Sequence, residues 1–565
     1  MGASNGFPVF SVSNVQYARI QFPAHPRYPP RMQWVDSIVG EIEKRFAAEI
    51  KAKKPLILRD EKTLSGRVHV GSLRGIVIHG VLAQVLKEKG IACDFLFELN
   101  DFDPMDELPA QLQNREEFRK YMGQPLFTVP SPDPKKAPNY PLVFGNELEE
   151  VVSDLKLPIE YYPLAPLYKE GKFNAVIRDA LDHAAEIRAI YREVSGSVKP
   201  DDWFPLQVIC EKCGKVGTTQ VTSWDGNLVT YACKPDLVKW AKGCGNSGTV
   251  SPFDGHAKLP WKVEWPAKWK VMNVSIEGAG KDHSAAGGSR DIGQRIVEEI
   301  FHYPEPLNIP YEFFNIGGKK MSASKGLGAS AKEVADLLSP KILKLLMIRK
   351  QPNQPIDFDP EGVTIPQLFD EYDRLSDYAF GRQEKPEPDF ARTFALTQTD
   401  FPKKPLDLWH MRFSLVAFIV QMPHLDLMEE AAKAKGSALS EAEKSDIEER
   451  ADYARRWLDS CAPAQFRFTF VEDVDFAPKN LPAVSPAQKK AFGMILEQLK
   501  GTVWEGDPIH KVLHAVKTEL NMPPKEIFAP LYQLFFKRND GPQMGWLLST
   551  LPKEEVLRRI GCYVE

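Results

Sequence analysis

The sequence predicts a multidomain fold: an α/β half that carries a small inserted domain, followed by an all-helical C-terminal half. Three observations lead there. Residues 56–97 read as strand, loop, helix and strand, the unit that builds a parallel sheet. Residues 205–250 change to short strands, glycine turns and four cysteines. After residue 365 nearly every segment has helical periodicity and helix-start signals. A chain of 565 residues exceeds one core, and roughly 100–200 residues per domain gives three or four.

In order, the first forty residues are rich in proline (Pro23, Pro26, Pro29, Pro30) and read as an irregular arm before a helix near 34–50. Leu56-Ile57-Leu58 starts a buried strand. Leu73, Ile76, Val77, Leu82, Val85 and Leu86 form one stripe of a helix over 72–89, with Gly90 just beyond its end. Ala92–Phe97 is the second strand. Residues 120–165 are proline-dense and read as connections; 173–196 read as a helix. Val271, Val274 and Ile276 alternate as a strand, followed by a glycine loop and a helix at 290–301. Ser330…Glu333, Ser440…Glu443 and Ser485-Pro486-Ala487-Gln488 are capping boxes.

The composition is that of a soluble globular protein, 43% hydrophobic and 26% charged. A net charge of −4 excludes binding to nucleic acid by bulk charge, though not through a local basic surface. Seven cysteines are too sparse for a disulfide scaffold, so reduced thiols and a cytoplasmic location are expected. No apolar run approaches the length of a membrane span, and the N-terminus shows neither a secretory signal nor a myristoylation pattern.

Two loops carry the chemistry. Thr63-Leu64-Ser65-Gly66-Arg67-Val68-His69-Val70-Gly71-Ser72 joins a strand to a helix, placing a histidine, small residues and free backbone N–H groups at a helix N-terminus, which favours anions. Lys319-Lys320-Met321-Ser322-Ala323-Ser324-Lys325-Gly326 offers ammonium and hydroxyl groups between glycines, suited to a polyphosphate. Each taken alone also fits an ordinary capped turn or a solvated basic loop. Together they resemble the HIGH and KMSKS motifs of class I aminoacyl-tRNA synthetases. Ser72 stands at the last HIGH position and Ala323 at the fourth KMSKS position, where the motifs carry histidine and lysine.

Between the loops lie Trp261-Lys262-Val263-Glu264-Trp265-Pro266-Ala267-Lys268-Trp269 and Glu277-Gly278-Ala279-Gly280-Lys281-Asp282-His283, then Ala286-Gly287-Gly288-Ser289. With Ser65-Gly66 and Asp101-Phe102-Asp103, these resemble the class I lysyl-tRNA synthetases over roughly residues 33–375. The resemblance implies a lysine–tRNA ligase that uses ATP, L-lysine and tRNA(Lys), with Mg²⁺ bridging the phosphates, no membrane and a monomeric chain. It implies His69 and Lys320 as catalytic residues, with Ser65, Gly66, Gly71, Ser72, Met321, Ser322 and Ser324 also at ATP. Lysine recognition falls to Thr63, Trp261, Glu264, Glu277, Asp282 and His283, with carboxylates for the ammonium, an aromatic face for the stem, and Asp282 and His283 in a strand-end loop. Trp265 and Trp269 are read first as core, and Glu264 also fits an exposed partner of Lys262 or Lys268. Glu61 departs from a family glycine. A glutamate-specific enzyme would want a pocket arginine, and the stretch 261–283 has none; a non-catalytic tRNA-binding paralogue is the other alternative.

Cys210-x₂-Cys213-x₁₉-Cys233-x₁₀-Cys244 is close to a zinc ribbon, with Gly214 as the knuckle turn, and structural Zn²⁺ is expected there. The proline-rich 130–140 stretch lacks Cys and His, so a second zinc is not expected. The resulting division is a Rossmann-like catalytic domain (1–120 and 255–330), a connective insertion with the zinc knuckle (121–254), a helical junction (331–375) and a helical anticodon-binding domain (376–565).

Overall fold

The computed structural model describes residues 33–112, 114–320, 329–472 and 476–564. The chain divides into two compact units, one holding Pro30–Pro360 and Arg374–Leu406, the other Glu361–Asp373 and Asp407–Glu565. Residues 376–406, expected in the anticodon-binding domain, therefore go with the α/β unit.

That unit opens with α1 (Trp34–Arg45) and α2 (Ala47–Lys51), then β1 (Leu56–Thr63), α3 (Ser72–Glu88), β2 (Cys93–Asn100), α4 (Tyr140–Asp154) and β3 (Ile159–Pro163). The three strands are parallel in the order β1-β2-β3, with Glu61 opposite Glu98 and Thr63 opposite Asn100. On the free side of β1, parallel bridges join Leu58 to Ile276 and Ile276 to Leu307. The sheet order is thus β3, β2, β1, then the segments around 276 and 307. The direction of winding reverses beside β1, where doubly wound sheets open a binding crevice at their C-terminal ends. Helix α3 is buried from Leu73 to Leu86. It needs Gly75, because a Cβ there would fall 2.5 Å from Asp60 Oδ2 on β1.

Helices α5 (Leu164–Lys169), α6 (Asn174–Asp182) and α7 (Ala184–Ser195) lead into the insertion. There β4 (Gln207–Val208) pairs with β8 (Ala257–Lys258), and β5 (Thr219–Trp224), β6 (Val229–Cys233) and β7 (Ser247–Val250) form an antiparallel sheet. The chain returns through α8 (Trp261–Val271), β9 (Ala279–Gly280), the one-turn α9 (Lys281–Ser284) and α10 (Ser289–Glu299). Then come β10 (Pro310–Tyr311), β11 (Phe314–Ile316), β12 (Lys319–Lys320), α11 (Ala331–Ala335), α12 (Pro340–Ile348) and β13 (Ile356–Phe358). Helix α13 (Thr364–Ala379) spans the division between units, and α14 (Pro388–Thr397) completes the α/β unit. Arg392 of α14 pairs with Asp36 and Glu88, which accounts for its place there.

Three expectations change. The stretch 120–165 is not all connection: Asn139 caps α4, and Pro141 sits in its first turn, where a missing N–H costs nothing. The helix over 173–196 breaks at His183 into two. Val271 closes a helix rather than opening a strand, and Asn273 turns the chain with φ 53° before Ile276 reaches the sheet.

The second unit holds α15 (Phe413–Ile419), α16 (Leu427–Lys435), α17 (Glu441–Ser460), α18 (Pro486–Gly501), α19 (Gly506–Glu519), α20 (Pro524–Phe536), α21 (Met544–Ser549) and α22 (Lys553–Gly561). Both sides of the capping box form at Ser330, Ser440 and Ser485. Phe535, Phe536 and Trp546 are buried core residues. Among the described residues no helix is long and apolar enough to cross a membrane.

Candidate active site

Strand β1 organises the site, because successive side chains point to opposite faces. Arg59, Glu61 and Thr63 face one pocket; Asp60 faces α3, within 3.5 Å of His79 Nδ1.

On the first face lies a dense ionic network. Lys268 Nζ stands 2.8 Å from Glu61, 2.6 Å from Glu98 and 3.2 Å from Glu264. Arg59 bonds Glu61, Glu98 and Glu277 at 2.5, 2.6 and 2.8 Å. Lys258 bridges Asp103 and Glu264 at 2.5 and 3.3 Å. Five carboxyl groups thus meet three cations. Burial would lower the Lys268 pKa, yet Glu264, Glu61 and Glu98 outweigh it and hold the ammonium well above its ordinary value. Burial likewise pushes Glu61 up, but Lys268 and Arg59 hold its carboxylate well below the usual range. Glu264 and Glu277 shift upward because desolvation exceeds the pull of their cations.

Glu264 and Glu277, expected to meet a substrate ammonium, lie sealed beneath the pocket. Glu264 accepts from Tyr168 at 2.6 Å, and Glu277 accepts from Trp265 and Trp269 at 2.9 and 2.7 Å. Glu277 is only 2% exposed. The open carboxylates are Glu61 at 16% and Asp103 at 18% exposure. Thr63 Oγ1 donates to Asp103 at 2.7 Å, and Trp261 Nε1 donates to Glu61 at 2.9 Å.

Helix α8 puts Trp261, Trp265 and Trp269 at four-residue spacing on one face. Trp265 and Trp269 are buried, while Trp261 is half-buried, stacks on Trp265 at 5.4 Å and meets the His283 ring at 5.1 Å. His283 and Asp282 lie on α9, directly after β9, rather than in an open loop.

On the other face is the loop before α3. The backbone of this loop is tied to the segment after 328: Val70 N donates to Ala329 O, Ala331 N to Val68 O, and His69 bridges Ser330. Tyr140 donates to Ser65 O at 2.6 Å, and Arg67 next to Gly66 pairs with Glu147 and Glu333. Gly71 precedes α3 with no side-chain cap, and Ser72 is its first residue. Burial, aided by the Lys62 charge, brings His69 down to about 4, so its imidazole is neutral at physiological pH; Nδ1 is buried without a hydrogen-bond partner. Gly317-Gly318, both with positive φ, turn β11 into β12, which carries Lys320. Met321, Ser322 and Ser324 lie outside the described residues.

In the insertion the four cysteine sulfurs all lie within 4.8 Å of one another. Cys210 and Cys244 are 3.6 Å apart, and Cys213 and Cys233 3.7 Å. Gly214 and Gly245, each following a cysteine, take positive φ as knuckle turns require.

Sequence reasoning missed Arg59, Glu98 and Lys258; it named Lys268 only as a partner of an exposed Glu264, and the pair forms at 3.2 Å but buried. Arg59 and Glu98 each follow three apolar residues in a strand, and that mismatch was the available signal; Lys258 and Lys268 carry no such mark.

An anion-favouring helix start and an acid-rich, tryptophan-walled pocket on opposite faces of one strand at a sheet switch point describe a class I aminoacyl-tRNA synthetase. The family model for class I tRNA synthetases (K) matches residues 32–400, and an anticodon binding domain model matches residues 427–564. The chain therefore belongs to the class I lysyl-type tRNA synthetase family, with a mixed α/β catalytic domain and a C-terminal helical anticodon-binding domain. A lysine–tRNA ligase of Methanocaldococcus jannaschii is 30% identical over 94% of this chain and 100% of its own length. One from Methanosarcina barkeri is 31% identical over 94% of this chain and 97% of its own. A solved glutamate tRNA ligase from Elizabethkingia meningosepticum covers 90% of this chain and 99% of its own, at 12% identity and a TM-score of 0.40.

Proposed function

We propose that the chain is a lysine–tRNA ligase acting in two steps. The carboxylate of lysine attacks the α-phosphorus of ATP and pyrophosphate leaves. A hydroxyl of the 3′-terminal adenosine of tRNA(Lys) then attacks the lysyl carbonyl and AMP leaves. The observation that carries this reading is the two-faced β1, with an excess of carboxylates on one side and the helix start of α3 on the other.

The acid excess suits a cationic side chain. Glu61 and Asp103 are open to an ammonium, with Glu264 and Glu277 fixing the cations beneath them. Thr63, Trp261 and His283 stand around the same pocket, with Asp282 next to His283 on α9, and an indole face suits an alkyl-ammonium stem. Ser65, Gly66, His69, Gly71 and Ser72 form the ATP loop, where the positive end of the α3 dipole favours phosphate. The nucleophile is already ionised, so catalysis is positioning and charge stabilisation by His69 and Lys320, with Met321, Ser322 and Ser324 completing the loop. Mg²⁺ would accompany ATP and neutralise its phosphates.

Four thiolates around Zn²⁺ at about 2.3 Å place the sulfurs about 3.8 Å apart, which the Cys210–Cys244 and Cys213–Cys233 spacings fit. Cys210, Cys213, Cys233 and Cys244 would hold a closed structural zinc. Elemental analysis of chelator-free protein should find it, and Cys210→Ser with Cys213→Ser should remove it.

The functional test is ATP–pyrophosphate exchange with each standard amino acid in turn, then charging of tRNA. Exchange with lysine supports the reading; exchange with another amino acid and not with lysine sinks it.

A further inference from the structure

Lys62 has no role in the network on β1, because it points the other way. Asp60 sits against α3, its Oδ2 near Gly75. Two residues further along a strand is roughly 6.6 Å, and α3 runs back against β1, so about four helical residues span the same length. Lys62 therefore stands beside Gly71, at the first turn of α3. Its charge is felt at His69, in the loop that leads into that turn.

The other cations on or beside β1 are saturated: Arg59, Lys258 and Lys268 each contact two or three carboxylates. Among the described residues, Lys62 has no hydrogen bond or ion pair. The nearest acid, Asp60, accepts from Glu61 N and lies close to His79. Burial lowers the Lys62 pKa despite Asp60, so the ammonium is strained where it is. A partly buried, unpaired ammonium is costly and asks for an anion. Two features beside it favour the same anion: the positive end of the α3 dipole and His69 Nδ1, buried without a partner. Ser72 and Ala323 also leave the two motifs poorer in cationic groups than the pattern they resemble.

We propose that Lys62 is a phosphate ligand of the bound nucleotide, its ammonium closing on the triphosphate laid across the first turn of α3. This rests on the reading of that turn as the ATP site. A charge that tightens on the phosphates as pyrophosphate departs contributes to the rate as well as to binding.

The test uses the full-length enzyme, Lys62→Met and Lys62→Arg, with calorimetric binding of ATP and of adenosine in the absence of amino acid. Lys62→Met should melt no lower than wild type, since it removes an unpaired buried charge. It should bind ATP about tenfold more weakly and adenosine unchanged, and lower kcat/KM for ATP in exchange by about 10–100-fold with little change in the lysine KM. Lys62→Arg should recover most of the loss. ATP binding within about twofold of wild type in Lys62→Met, or equal weakening of adenosine, overturns the proposal. Wild-type protein that binds ATP but shows no lysine-dependent exchange would remove the ligase reading while leaving the Lys62 comparison decisive. Wild-type protein that binds no ATP removes both.

Discussion

Both units bury charge, but to different ends. Beneath the pocket, three cations share five carboxyl groups, and two of those, on Glu61 and Asp103, remain open. In the helical unit, Arg450 meets Asp373 at 2.5 Å and Asp446 at 2.8 Å, and His410 shares Asp446. Arg559 there lies against the rings of Phe470 and Phe535, bonding the carbonyls of Val471 and Leu534 and pairing with Glu555. The helical clusters find their acceptors within the fold and serve stability. The network on β1 has acid to spare at an open mouth, which is what a cationic ligand requires.

Breaking that network should have the largest effect. Lys268→Met leaves Glu61, Glu98 and Glu264 without their shared cation and should cost about 3–5 kcal/mol in urea unfolding, with Glu264→Gln in the same chain recovering part. A cost near zero would mean the carboxylates are not ionised together. Next, Lys320→Ala should reduce the adenylation rate by about 100-fold with lysine binding nearly intact; near-normal turnover would show that another loop does this work.

The helical unit offers the converse test. A Cβ at Gly545 would collide with Gly506 O and with His510, so Gly545→Ala should destabilise the packing of α19 on α21 by about 1–3 kcal/mol. Charging of tRNA should fall while pyrophosphate exchange holds, and loss of both together would tie the units more closely than their chemistry suggests. The smallest effect concerns Lys344 in the α/β unit, which burial pushes down to about 7. Its folded pKa lies below the unfolded value near 10.4, so the unfolded chain binds the extra proton and stability should climb as pH rises above about 7. The slope is at most about 1.4 kcal/mol per pH unit, and Lys344→Met should flatten it.

How much was legible follows the range of the interaction. Capping boxes at Ser330, Ser440 and Ser485 and the cysteine spacing are local patterns, and the structure reproduces the caps and gathers the thiols. The strand expected from Val271 fails because Val271 is the last residue of α8, and the chain reaches the sheet only at Ile276. The burial of Glu264 and Glu277 was not legible for a different reason. Which carboxylate is open depends on Lys258, Lys268, Tyr168 and two indoles brought together only by the fold. Phe535, Phe536 and Trp546 are spent on the helical core.

The central claim is that spare acid on β1 selects a cationic side chain. Norleucine has the carbon chain of lysine without the ammonium, so comparing the two in ATP–pyrophosphate exchange isolates that charge. A pocket built around a buried charge should prefer lysine by about 10⁴-fold or more in kcat/KM. Norleucine activated within about tenfold of lysine would contradict the account, because one apolar pocket discriminates that weakly.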